Sequence, residues 1–321
     1  LRKPVIGTNH YLPINMGRTL SSDPIIGKPF KTVSYSYLVS FCNRCEYVTA
    51  PTMTALNLLY KHGLRAPAQA ISNGIDLQTY RPGAPDEELR RRFHLPANRP
   101  LILSANRLSQ EKRTEVLVDA VAKLREEAHI VITGVGPTEA DLRAQVDALG
   151  LNDRVSFLGF ISDEDLLKLY RLASIFAIPS EADLQSLSTM EAMATGLPIV
   201  AADAYALPEL VHHDVNGFLF ERGNSDEMAA YLDSLLANPA LRQSMGAKSL
   251  EIIALHDHAL ILDQWEALYR RLSNEFIEAR ERKLQLRIAR RLSSYASPRQ
   301  LSKRRPPRNK LALDKSLHGE E

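Results

Sequence analysis

Three short stretches of the chain hold residue types that could grip and polarise a ligand. The first is Arg107-Leu-Ser-Gln-Glu-Lys112, two cations in one loop directly after the apolar run LILSAN (101–106). Such cations repel each other unless an anion lies between them, and a diphosphate matches that charge. A solvated basic loop is the other reading. The second is the turn GVGP (134–137), where Gly134 and Gly136 would let the backbone approach a ligand closely. A lone GxG also fits any tight strand-to-helix turn. The third, EADLQSLSTMEAMATGLPIVAAD (181–203), is the most specific. Asp183 and Glu191 are carboxylates with seven residues between them. A helix starting near Ser186, rising ~1.5 Å per residue, carries Glu191 away from the loop that holds Asp183. The pair could hydrogen-bond sugar hydroxyls at two points, while the N–H groups of Ser186, Leu187 and Ser188 face an anion. The bland alternative is an acid favouring the helix dipole and an ordinary surface Glu. Glu191, however, sits among Met190, Ala192, Met193 and Ala194, and a partly buried carboxylate needs partners.

These loops need a scaffold, and the pattern between them supplies one. PVIGTN (4–9), EYVTA (46–50), LILSAN, HIVITG (129–134), VSFLGF (155–160), SIFAIP (174–179) and PIVAAD (198–203) read as buried strands. Between the later ones, TEVLVDAVAKLREE, TEADLRAQVDALG and DEDLLKLYRLA repeat apolar residues at helical steps. Strands alternating with helices mean a parallel α/β sheet with right-handed crossovers. Residues 100–220 hold five such strands, enough for one Rossmann-like domain. Fewer strands precede residue 70 than a stand-alone α/β domain needs. With Leu1 in place of Met, the chain reads as part of something longer, its N-terminal domain entered midway. Ligands in open parallel sheets bind beyond the C-terminal strand ends, which is where all three stretches fall. Beyond Ser225 the pattern turns helical, with a long helix from about Ala259 and a Pro- and Arg-rich tail, expected to be disordered, from Ser297.

Composition excludes several classes. Hydrophobic residues at 45% and charged residues at 24% of 321 describe an ordinary globular chain rather than a disordered or fibrous one. No apolar run reaches the ~18 residues of a membrane span, and no basic-then-apolar leader argues for secretion. Net charge is +2 but uneven: 14 Lys and Arg face three Glu between Arg270 and Lys310, a local +11 that leaves −9 elsewhere. A basic, partly amphipathic segment over 276–310 fits an anionic membrane surface. A helix packed on the body of the protein, followed by a solvated tail, is the alternative. No aromatic residues interleave with the tail's charges, so nucleic acid is not expected. Cys42 and Cys45 form a lone CxxC without a second ligand pair, and read as plain reduced cysteines. His212, His213, His256 and His258 read as surface histidines. No metal-ligand cluster stands out, so neither a metal nor a cofactor is expected.

The ordered motifs resemble a known family, the retaining nucleotide-sugar glycosyltransferases of family four, whose fold is GT-B with two Rossmann-like domains. EAMATGLPIV (191–200) is similar to its Glu-x7-Glu…AMAxGxPVV signature, with Asp183 in the first acidic place. APTMTAL (50–56), ISNGIDLQTYRPG (71–83), ANRLSQEK (105–112), GVGP, VSFLGF and ALPELVHHDVNGFLF (206–220) follow in family order, and the likeness covers roughly residues 4–270. It implies an α/β GT-B chain: a remnant of the acceptor domain over 1–74, a complete donor domain over 75–255, a crossing helix and basic extension over 256–296, and a tail over 297–321. It also implies that Arg107 and Lys112 hold the donor diphosphate, Glu191 the ribose and Asp183 the transferred sugar. The Leu187 and Ser188 backbone would touch phosphate or sugar, with Ser186, Gly134 and Gly136 lining the donor site. The Phe157–Leu158 backbone would lie near the base, and His10 would face the sugar from the acceptor domain.

Four departures qualify the likeness. Asp183 replaces the usual Glu. DLQSLS replaces a Gly-Phe-Gly stretch, and Gln185 there is similar to members that glycosylate lipids. Asn106 and Val135 replace the usual Gly and Asp. The acceptor domain's early part, with its glycine-rich loop, is missing. The expected activity is retaining transfer of a hexose from a nucleotide sugar, UDP favoured over GDP, to a lipid or glycan acceptor. Cations and a helix N-terminus would stabilise the leaving phosphate in place of a metal. The expected location is cytoplasmic, peripheral on the inner face of the membrane. A nucleotide-sugar-binding protein without turnover and a GT-B nucleotide-sugar epimerase are the alternatives.

Overall fold

The computed structural model describes residues 3–13 and 24–296. The tail expected over 297–321, and with it the end of the 276–310 segment, lies outside the described residues. The chain divides into residues 1–270, which hold the two sheets described here, and 271–321.

The larger sheet has six parallel strands: β4 (Leu101–Ala105), β5 (His129–Thr133), β6 (Val155–Gly159), β7 (Ile175–Ile178), β8 (Ile199–Ala202) and β9 (Gly217–Phe220). Their order is β6-β5-β4-β7-β8-β9, that of a doubly wound Rossmann sheet. Helices α4 (Thr114–Lys123), α5 (Glu139–Ala148), α6 (Asp163–Leu172) and α7 (Leu187–Ala194) connect successive strands. Because helices cover both faces, β4, β5, β7 and β8 are buried at every position, which is why they read as unbroken apolar runs. Polar caps stop the helices from running on into the loops: Ser162 accepts from the Asp165 N–H and Asn224 from that of Glu227, at the head of α8 (Ser225–Ala237). Then come α9 (Pro239–Ile253) and the 39-residue α10 (His258–Ala296). Its stretch beyond Arg271 exposes Ile277, Leu284, Ile288 and Leu292, each more than half accessible.

The smaller sheet is parallel too: β1 (Ile6–Thr8), β2 (Tyr47–Ala50) and β3 (Ala68–Ala70), in that order. It packs with α1 (Pro24–Cys42) and α2 (Met53–Lys61); the short α3 (Glu87–Arg92) lies past the linker. Two strands go beyond the sequence pattern. β3 has three half-buried residues and no β-branched side chain, and β9 follows a polar turn, so neither shows a strand period. Cys42 ends α1 and Cys45 sits in the next turn; both are buried and unlinked, and burial pushes both thiols above their ordinary pKa.

The two sheets share more than a linker. Ala182 and Leu184, from the loop after β7, belong to the small sheet's core with Leu12, Val48, Leu56 and Leu59. The Thr52 hydroxyl donates to the Leu184 carbonyl at 2.8 Å. Glu209, between β8 and β9 of the larger sheet, accepts from the Met53 and Thr54 N–H groups at 3.1 and 2.6 Å, capping α2.

Candidate donor site

Strand order reverses between β4 and β7, so the loops after these strands diverge and leave a crevice. The first loop is Asn106 to Arg113, with a 3₁₀ turn at Gln110–Lys112 and Arg113 left-handed at φ 53°. The second is Pro179 to Ser186. They are stitched together where the Glu181 N–H donates to the Glu111 carbonyl at 2.9 Å. Across them Lys112 Nζ donates to Asp183 Oδ1 at 2.6 Å, with the side chains only 19% and 11% exposed. Oδ2 of Asp183 is buried without a partner. The crowding of cations in the first loop is thus relieved by the chain's own carboxylate. Arg107 takes no part: it is exposed and lines a cavity of about 520 Å³ with Gln110, Arg113, Thr138 and Asp141.

Helix α7 begins at the same edge. Ser186 caps it, its hydroxyl accepting from the Thr189 N–H at 3.3 Å and the Thr189 hydroxyl at 2.8 Å. The amides of Leu187 and Ser188 have no partner among the described residues, so the positive helix end stays open a few residues after Asp183. Glu191, one turn further, finds the partners its burial requires. The Tyr170 hydroxyl donates to Oε2 at 2.8 Å, and Tyr80 also hydrogen-bonds this carboxylate. Burial raises the Glu191 pKa, the two tyrosine hydroxyls pull it down, and nearby Asp163 raises it. Tyr80 is itself pushed up to about 12, chiefly by burial. Neither tyrosine stands out in the sequence: Tyr170 lies within the apolar repeat of α6 and Tyr80 in the linker.

The two glycines have a structural cause. A Cβ on Gly134, at φ 104°, would lie 2.1 Å from the Asn106 carbonyl oxygen, and one on Gly136 2.0 Å from that of Leu108. Both are demanded by the chain's own backbone, which packs the loop after β5 against the loop after β4. Phe157 and Leu158 are half-buried in edge strand β6, with the Arg143 guanidinium 4.6 Å above the Phe157 ring. The β5–β6 register slips past Leu158, taking its backbone out of the regular ladder. His10 is exposed in the loop after β1; two residues on, Leu12 belongs to the same buried cluster as Leu184. His256 is not the surface residue expected: it is half-buried, its Nδ1 is 2.8 Å from Ser72 Oγ, and burial lowers its pKa. Among the described residues no three His, Cys, Asp or Glu side chains cluster to hold a metal.

A reversed strand order with a cation–carboxylate pair at the switch point fits a nucleotide-binding enzyme, and comparison narrows this. The family model of glycosyl transferases group 1 matches residues 85–251. The chain belongs to that family. The D-inositol 3-phosphate glycosyltransferase of Mycobacterium marinum is 29% identical over 294 residues, 90% of this chain and 63% of that protein. The chain thus spans under two thirds of this relative's length. Among solved structures, Anabaena HepE in complex with UDP and glucose superposes with a TM-score of 0.73 at 26% identity, covering 84% of this chain and 72% of that one. Sucrose-phosphate synthase of Thermosynechococcus elongatus gives 0.71 at 24% identity, covering 83% and 67%. The fold of this group 1 glycosyltransferase chain is α/β, with the parallel sheets of GT-B.

Proposed function

We propose that the chain supplies the donor site of a retaining glycosyltransferase, which moves a hexose from a nucleotide diphosphate, UDP ahead of GDP, to a lipid or glycan hydroxyl. The observation that carries this reading is the Lys112–Asp183 pair at the switch-point crevice, with the two open amides of α7 a few residues after Asp183. The Anabaena relative, whose structure holds UDP and glucose, supports the choice of base. In the proposed complex, Lys112 leaves Asp183 for the donor diphosphate, Arg107 swings in from the cavity side, and the Leu187 and Ser188 N–H groups bind phosphate or sugar oxygens. Asp183, freed of its lysine, accepts from hydroxyls of the transferred sugar. Ser186 holds the helix start, and Gly134 and Gly136 hold the neighbouring turn. Glu191, oriented by Tyr170, accepts from the ribose, and the Phe157–Leu158 backbone meets the base. His10 faces the sugar from the smaller domain.

The bond between the anomeric carbon and the phosphate oxygen breaks, and one to the acceptor oxygen forms on the same face. The acceptor's proton passes to the departing phosphate. Charge growing on that phosphate is met by fixed donors that need no rearrangement during the step. In this reading residues 1–74 belong to the acceptor side, 75–255 form the donor domain, and 256–296 the crossing helix and its basic extension. The exposed apolar residues of that extension, flanked by Arg280, Lys283 and Arg287, would rest against an anionic inner membrane face, where such an acceptor lipid resides. Pelleting with vesicles tests this contact: binding that ignores the fraction of anionic lipid would remove it.

The test of the donor site is calorimetric titration of the full-length protein with UDP- and GDP-sugars, followed by assay of nucleotide release. Binding of a UDP-sugar with release of UDP is expected; no binding of any nucleotide sugar would overturn the reading. Binding without turnover would favour a nucleotide-sugar-binding protein, a role to which the closed Lys112–Asp183 pair and the shorter acid at 183 lend support.

A further inference from the structure

Gln185 lies two residues after Asp183, yet its amide is committed to the linker between the sheets. Its Oε1 accepts from the Asn73 N–H at 2.8 Å and its Nε2 donates to Ser72 Oγ at 2.9 Å. Ser72 Oγ also accepts from the Gly74 N–H at 3.2 Å and meets His256 Nδ1 at 2.8 Å. His256 belongs to the turn that joins α9 to α10, and that turn is bound to the same linker: the Ile75 N–H donates to the His256 carbonyl at 2.8 Å, and the His258 N–H to that of Ile75 at 3.0 Å. One hydrogen-bonded knot therefore joins the passage from the small sheet to the large one, the start of the long C-terminal helix, and the loop carrying Asp183. The other neighbours of Asp183, Ala182 and Leu184, are buried in the small sheet's core. The small sheet cannot turn about residues 72–75 without pulling on the Asp183 loop from both sides. A side-chain amide suits the task because it offers an acceptor to a backbone N–H and a donor to a hydroxyl at once.

We infer that Gln185 is a positioning residue: through Ser72 it ties the placement of Asp183, and so of the Lys112–Asp183 pair, to the angle between the two sheets. The inference rests on the donor-site reading above. It makes the linker a determinant of turnover, although neither Ser72 nor Asn73 belongs to the proposed donor site.

Steady-state kinetics of the full-length protein on its nucleotide-sugar donor test this with Gln185→Met, Ser72→Ala, the double variant and Ser72→Thr. Gln185→Met and Ser72→Ala are each expected to lower kcat about tenfold, the scale of coupling within one hydrogen-bonded network, with donor KM nearly unchanged. The double variant should be no slower than the worse single one, and Ser72→Thr, which keeps the hydroxyl, should recover kcat. Additive losses, an unchanged kcat, or a loss carried only by KM would overturn the inference. Titration of the wild type with donor separates the two failures. A wild type that binds no nucleotide sugar overturns the donor site and this inference together. One that binds and turns over, with variants as fast as itself, overturns the inference alone.

Discussion

Lys112 and Asp183 meet at 2.6 Å across two loops that are 71 residues apart in sequence, and in the proposed donor complex each has a job the other blocks. In the proposed complex the lysine exchanges one carboxylate for a diphosphate. Replacing a fixed donor to the leaving group usually costs 10²–10³ in rate, about 3–4 kcal/mol. Lys112→Ala should therefore lower transfer by that factor, read as nucleotide release under saturating donor; wild-type turnover would remove Lys112 from the chemistry. Glu191 gives a prediction of a different sign. Its folded pKa is raised above the ordinary 4.5, chiefly by burial, so the folded chain holds this proton more tightly than the unfolded one. Its contribution to stability is full below pH 4.5 and is lost as pH rises through the folded value. Glu191→Gln, which cannot ionise, should thus melt above the wild type at pH 7, the gap closing in acid, while donor affinity falls. A variant melting below the wild type at neutral pH would contradict this account.

Among the elements, the loop after β4 is held closely by its neighbour. Its Asn106 and Leu108 carbonyls lie where side chains at 134 and 136 would have to go. Gly136→Ala should cost about 1–3 kcal/mol, the usual penalty of overpacking, seen as a lower denaturation midpoint with unchanged slope. The sequence leaves these glycines open between ligand approach and a tight strand-to-helix turn, and loop-on-loop packing is by itself enough to require them. That partner could not be read from the chain, because Asn106 and Gly134 stand 28 positions apart. Glu191 shows the converse. Its place inside an apolar run already said that it must be partnered, but Tyr170 looked like one more apolar position of α6. Only the packing of α6 against α7 turns its hydroxyl into the missing donor.

At the scale of the molecule, the loop after β7 serves both sheets. It holds Asp183 at the edge of the large sheet and puts Leu184 in the core of the small one. Leu184→Ala should cost about 2–5 kcal/mol, as for other buried leucines. It should also split the single unfolding transition expected of the wild type into two, followed by calorimetry. A single transition in the variant would mean that Thr52 and Glu209 suffice to couple the sheets.

The alternation of apolar strands with helices was enough, from the chain alone, to specify a parallel α/β sheet. Hydrophobic periodicity is local and repeats over many residues, so it survives without knowledge of partners. Which side chains pair was decided only in three dimensions. Lys112 with Asp183, Tyr170 with Glu191, Glu209 with the head of α2, and Gln185 with Ser72 each join segments at least 21 residues apart, brought together by strand order and domain packing. A hydrogen bond depends on angstroms, and no pattern of residue types along a chain carries distances between its distant parts.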